Sequence, residues 1–225
     1  MNCLVRCFVI ATSTLMAAQA GAGVPSPADS SIPCGFLFVG KIGATADPLG
    51  AFEIVVRDLA QNPIPGAEIS IVFNGCLRAG DLRVAGVQPD PTASVVCGGG
   101  AVMIRATCGG DGAFRSSLVG GGSGNASGGF SGPPDCTLLR SGGCATVYGD
   151  GVNLGMVAVA RLDADGANGL GPPDISCWLT DSFAPDYLAR SDFDFSGATS
   201  APDLSILLRA ILAEGSRSSA TTYCQ

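Results

Sequence analysis

The chain has 225 residues, 47 % of them hydrophobic, and a formal charge of −7, enough apolar material for one domain or two small ones. It contains no histidine, which excludes Ser-His and Cys-His nucleophile pairs and histidine-ligated zinc. A single lysine, Lys41, and an isoelectric point near 4.4 argue against nucleic acid as a partner, because that affinity depends on basic groups neutralising phosphates.

The first twenty residues read as a secretory signal. Arg6 gives the charged start, Cys7 to Met16 a short apolar run, and Ala18-Gln19-Ala20 a small-residue cleavage site, with Ala20-Gly21-Ala22 as an alternative cut. The run falls short of the roughly 20 apolar residues that a membrane span needs. A secreted, extracellular or bacterial cell-surface protein without a span is therefore expected. Residues 21–33 are small and polar and are expected to form a flexible lead-in.

Beyond the signal stand eight cysteines: Cys34, Cys76, Cys97, Cys108, Cys136, Cys144, Cys177 and Cys224. An even number in an exported chain predicts disulfides throughout, and the absence of CxxC pairs argues against a cysteine metal cluster. Connectivity stays open among roughly a hundred pairings. Short loops suggest Cys76–Cys97 and Cys136–Cys144, and the isolation of Cys177 and Cys224 suggests that they pair with each other.

From Cys34 the pattern is strand-like. Phe52 to Asp58 is rich in β-branched residues, and Asn62-Pro63-Ile64-Pro65-Gly66 is turn chemistry. Ala67, Ile69, Ile71 and Phe73 recur at period two, the mark of a half-buried strand. Further strands are predicted at Ala101 to Thr107, Ala113 to Val119, Ala145 to Tyr148 and Val152 to Ala160. Gly109-Gly110-Asp111-Gly112 and Gly149-Asp150-Gly151 are the expected turns between them. Short strands at this spacing imply a β-sandwich over residues 34–161.

Within that span, VVRDLAQNPIPGAEISIVF and the later GGDGAFRSSLVGG resemble bacterial immunoglobulin-like modules of the invasin type, where a strand, an Asn-Pro turn and a second strand precede an Asp-Gly turn. The resemblance implies a scaffold or adhesion role and no catalysis. The glycine-rich tract from Gly120 to Gly129 lacks the lysine and the strand-to-helix context of a phosphate loop. It reads as a flexible loop, and within it Asn125-Ala126-Ser127 is a formal glycosylation sequon.

The C-terminal stretch carries the chemistry. From Asp163 onward there are nine acidic residues against Arg190, Arg209 and Arg217, a density that repels itself unless cations neutralise it. In Asp192-Phe193-Asp194-Phe195-Ser196-Gly197-Ala198-Thr199-Ser200-Ala201-Pro202-Asp203, the side chains of Asp192, Asp194, Ser196, Ser200 and Asp203 offer oxygen at loop positions 1, 3, 5, 9 and 12. Gly197 sits at position 6, where a calcium loop turns sharply, and the carbonyl of Ala198 is the expected backbone ligand at position 7. An apolar-faced helix is predicted from Leu204 to Leu212. A second copy lies 29 residues upstream, with Asp163, Asp165 and Asp174 at positions 1, 3 and 12 and a helix beginning at Ile175. Ala167 occupies its position 5, and Asn168 is a candidate ligand if the loop bulges, which makes the second site the better formed of the two.

This repeat, over about residues 162–215, resembles the dockerin module of bacterial extracellular proteins: two calcium loops, each followed by a helix, with aspartate at position 12. The resemblance implies two calcium ions and a cohesin-type partner. Positions 10 and 11, which help dockerins choose partners and are often hydroxyl residues, are Pro172-Pro173 and Ala201-Pro202 here. No flexible linker separates the last predicted strand from Leu162.

Two other features admit more than one reading. Trp178 and Phe183 suit a carbohydrate platform less well than core packing for the tryptophan. Asp181 and Asp186, flanking Pro185, read as solvated rather than as an acid/base pair. The expectation is a mainly β protein: an immunoglobulin-like β-sandwich with a small α-helical, EF-hand-like paired calcium-loop unit over residues 162–215 and a loose tail over 216–225. Its expected role is that of a secreted, non-catalytic structural or adhesive protein that self-associates or binds an extracellular protein. The alternative is an anchor docking onto a cohesin-type partner.

Overall fold

The computed structural model describes residues 23–39, 47–77, 82–98, 101–122, 143–166, 170–185, 187–212 and 223–224. The fold is mainly β. Strands run at Gly35–Val39 (β1), Phe52–Val55 (β2), Glu68–Val72 (β3), Leu82–Ala85 (β4), Ser94–Gly98 (β5), Ala101–Thr107 (β6), Ala113–Ser116 (β7), Leu118–Gly122 (β8), Ala145–Gly149 (β9), Val152–Arg161 (β10) and Tyr223–Cys224 (β11). Helices are a single turn at Asn74–Leu77 (α1), then Pro172–Ser182 (α2) and Ala201–Leu212 (α3). No helix among the described residues is long and apolar enough to cross a membrane.

Nine strands pair in the order β11-β4-β8-β1-β10-β9-β3-β6-β5, while β2 and β7 form a separate pair. The two edges, β11 and β5, touch each other, so the large sheet curls nearly into a barrel and shields its edges. β1 runs parallel to both of its neighbours, β10 and β8. The alternation read in the sequence is what fills the interior: Ile69 and Ile71 of β3 are fully buried, while Glu68 is exposed and Ser70 half-buried. They pack with Ile54 of β2, Phe114 of β7, Phe36 of β1 and Val157 of β10 in one core. The β9–β10 turn holds Asp150 at φ 44° and Gly151 at φ 79°, the left-handed pair that a tight hairpin requires.

The predicted strand Ala113 to Val119 is broken. Ser117 is fully buried and accepts a hydrogen bond from the Asp47 amide at 2.8 Å, and the chain changes sheets there, β7 pairing with β2 and β8 with β1 and β4. The first three glycines of the tract, Gly120 to Gly122, are strand rather than loop, paired with Val84, Arg83 and Leu82. Their lack of side chains permits the close approach, since a Cβ on Gly120 would lie 2.3 Å from the Arg83 carbonyl oxygen and 2.5 Å from the Phe38 ring. Asn125 and its sequon lie outside the described residues. The expected flexible lead-in is also corrected from Gly23 onward: Pro25 bridges to Asp58 and Ser31 to Val55, and Ile32 is buried in the core.

Cysteine pairing differs from expectation. Cys76 bonds to Cys144, with Cα atoms 4.8 Å apart, not to Cys97, and Cys144 is therefore not paired with Cys136. The reason is proximity in the fold: the α1 turn lies against the start of β9, so close that a Cβ on Gly75 would meet the Cys144 carbonyl oxygen at 2.4 Å. Cys34 and Cys97 are also disulfide-bonded. Cys108 and Cys177 are free thiols, so neither complete bridging nor a Cys177–Cys224 bond holds. Cys108 is buried in the first core and serves as a small apolar side chain. Cys136 and the side chain of Cys224 lie outside the described residues.

A second core lies on the other side of β1 and β10. Leu37 and Val39 of β1, Ala160 of β10 and Leu162 pack there against Trp178 of α2, Phe193, and Leu207 and Ala210 of α3. The acidic loops sit at this junction between sheet and helices.

Candidate metal centres

β10 delivers the first candidate ligand. Leu162, fully buried, donates its amide to the Phe38 carbonyl at 3.1 Å, which fixes the next residue, Asp163, at the end of the sheet. The chain then loops back to Asp174 in the first turn of α2. One carboxylate oxygen each from Asp163, Asp165 and Asp174 lie within 4.8 Å of one another, and the same holds for Asp192, Asp194 and Asp203.

At position 12 the two loops share the same backbone hydrogen bonds. Oδ1 of Asp174 accepts the amides of Ala164 (2.7 Å) and Asp165 (3.2 Å), and Oδ2 accepts that of Gly171 (2.8 Å). Oδ1 of Asp203 accepts the amides of Phe193 (2.7 Å) and Asp194 (3.2 Å), and Oδ2 accepts that of Ser200 (2.8 Å). Every partner is displaced by 29 residues. Each of these aspartates also stands in the first turn of its helix, behind an N-cap and a proline, where the dipole favours negative charge.

Asp163, Asp174, Asp192 and Asp203 are all 0 % exposed. No arginine or lysine among the described residues forms an ion pair with any of them; the pairs present are Arg105–Glu68, Arg115 with Glu53 and Asp111, and Arg190–Asp181. Burial pushes the Asp163 carboxyl up to about 7, the charge of Asp174 adds to the rise, and the Gly166 amide opposes it. Burial also lifts Asp192 to about 6, against hydrogen bonds from Tyr187 and Gly197. Asp174 and Asp203 are raised for the same leading reason, with their loop amides opposing it. Buried carboxylates crowded together without counter-charge are costly, and a hard divalent cation with oxygen ligands is the chemistry that relieves them.

The loops differ in how far protein donors already satisfy them. Neither oxygen of Asp163 has a hydrogen-bond donor in good geometry. Asp192, its counterpart, accepts from the Ser196 amide at 3.0 Å, the Gly197 amide at 2.8 Å and the Tyr187 hydroxyl.

Of the remaining ligands expected from sequence, the Ser196 hydroxyl donates to the Ala198 carbonyl at 3.3 Å, and Ser200 caps α3 through Asp203. Asn168 lies outside the described residues. Gly197 has φ 86°, the left-handed turn that position 6 demands. Asp181 is not solvated: it is buried, and both its oxygens are held by Arg190 and Ser191. Asp186 lies outside the described residues. Trp178 is buried while Phe183 is 84 % exposed, so they form no common platform. Sequence reasoning missed Tyr187, whose only signal is its place five residues before Asp192, and Gly121, whose missing side chain makes room for Asp163. Comparison with protein-family models, curated proteins and solved structures finds no match.

Proposed function

We propose that this chain is a secreted, non-catalytic structural or adhesive protein whose C-terminal paired loops bind two calcium ions. The observation that carries the reading is the burial of Asp163, Asp174, Asp192 and Asp203, two in each of two repeated loops, with none of them in an ion pair with a cationic side chain among the described residues. Calcium is preferred to magnesium because carboxylates, a backbone carbonyl and hydroxyls in a flexible loop suit a larger, less demanding cation. An affinity on the order of 10⁻⁴ to 10⁻³ M, the extracellular range, is enough. Binding then acts as folding free energy.

The β part is best read as an immunoglobulin-like sandwich. Supporting this, β2 and β7 pair as strands B and E do, and β3, β9 and β10 are neighbours as C, F and G are. The packing of Ile54 and Phe114 against Ile71 and Val157 in one core favours two facing layers. A second reading, an anchor that docks onto a separate cohesin-type partner, is favoured by the exposed apolar residues Leu179 and Leu212 on α2 and α3 and Phe183 just beyond α2. The loops' shared core with β1 and β10 fits the building-block reading better.

The experiment is a thermal melt with calcium and with chelator, followed by the near-UV signal of Trp178. At free calcium about 100 times the dissociation constant, each site adds about 2.7 kcal/mol, and one site alone raises the melting temperature by roughly 5–10 °C. Superimposable melts contradict the proposal.

A further inference from the structure

We propose, resting on the calcium reading above, that the first metal centre is completed by the sheet itself, with Gly121 of β8 as a positioning residue for Asp163. Asp163 is fully buried and neither of its oxygens accepts a hydrogen bond in good geometry, and one of them faces the oxygens of Asp165 and Asp174 in the cluster. The space it occupies exists because Gly121 has no side chain. A Cβ there would lie 2.7 Å from Oδ2, 2.9 Å from Cγ and 3.2 Å from Cβ of Asp163.

Neither partner can retreat cheaply. Gly121 is paired with Arg83 of β4, and its strand is paired on the other side with β1. Asp163 is tethered through the Leu162 amide to the Phe38 carbonyl of that same β1. A methyl group on Gly121 therefore displaces the carboxylate and intrudes on the space beside the oxygen that a cation would use. The consequence reaches beyond the loop: a cation held by both Asp163 and Asp174 ties α2 to the middle of the sheet, where β8, β1 and β10 are neighbours. The second loop meets the sheet through apolar groups, Phe193 packing with Leu37 and Val39 of β1 and the Phe195 ring lying over Gly35.

The test is calorimetric titration of the full-length chain with calcium chloride. Wild type takes up two equivalents. Gly121→Ala and Asp163→Asn each lose, or weaken by about tenfold or more, the same single equivalent, and the surviving one reports that the chain is folded. Gly110→Ala, at an open position with nothing within 4 Å, keeps both. Gly121→Ala binding both ions as wild type does overturns the proposal while leaving the calcium reading intact; wild type binding none removes both. A measurement independent of any variant is hydrogen exchange in wild type. Amides 118–122 are expected to exchange about tenfold more slowly with calcium than with chelator, and unchanged exchange there, with two ions bound, also overturns the proposal.

Discussion

The hydroxyl of Tyr187 donates to Oδ2 of Asp192 at 2.5 Å. Burial and that hydrogen bond raise the phenol's pKa, so it stays protonated and remains a donor. Asp192, the first acidic residue of the second loop, is thereby held in one orientation. Outer partners of metal ligands commonly matter by 10–100-fold in affinity. Tyr187→Phe is expected to weaken one of two calcium equivalents by about tenfold and leave the other unchanged. Equal effects on both sites in titration calorimetry would refute this role.

The raised carboxyls predict a pH dependence of the metal-free protein. A carboxyl whose pKa is higher folded than unfolded binds its proton more tightly in the fold. That contribution is complete below the unfolded value, about 4, and is lost as pH climbs through about 6 for Asp192 and about 7 for Asp163. In chelator, the melting temperature should fall between pH 4 and pH 7. With saturating calcium the fall should be abolished or reversed, because deprotonated carboxylates bind the ion better. Parallel pH profiles in the two conditions would count against cation binding at these residues.

What the sequence made legible were the features that repeat locally. Period-two burial at Ala67 to Phe73 needs only nearest neighbours, and the paired Asp-x-Asp spacing with a following helix emerges as two triads with matching bonds. What it hid depends on distant chain. The break at Ser117 falls between two apolar strands and is set by Asp47, 70 residues away. Cys76 and Cys144 are 68 residues apart, so loop length is a poor guide to pairing. Gly120 to Gly122 looked like a flexible tract because glycine's use in close packing leaves no local trace. Asp181 read as solvated because its partner Arg190 comes nine residues later, across a proline-containing connector.

That Asp181–Arg190 pair gives a stability prediction unrelated to metal. Asp181 is 4 % exposed, and Arg190 Nε lies 2.6 Å from its Oδ2. Removing one partner of a buried pair strands the other charge, at about 3–5 kcal/mol. Arg190→Met should therefore lower the denaturant midpoint by that equivalent in the calcium-loaded protein, whereas Arg115→Met, breaking an exposed, solvent-screened pair, should leave it nearly unchanged. Equal effects from the two substitutions would contradict the assigned burial.

Thiol mapping tests the cysteine pattern. Alkylation of the unreduced, denatured chain should label Cys108 and Cys177, and peptide mass spectrometry should recover a Cys76–Cys144 cross-link. In the folded chain Cys108 should react far more slowly than Cys177, because burial first, then the charges of Asp150 and Asp111, push its thiol up to about 11. Failure to recover that cross-link, or labelling of Cys76, would overturn the assigned bond.

The central claim, that two buried acidic loops each hold a divalent cation, is tested most directly by counting ions. Equilibrium dialysis of the purified, non-reduced protein against millimolar calcium, read by elemental analysis, should give two ions per chain, and Asp163→Asn with Asp203→Asn should reduce this to none. Retention of no calcium by the wild-type protein would contradict the account.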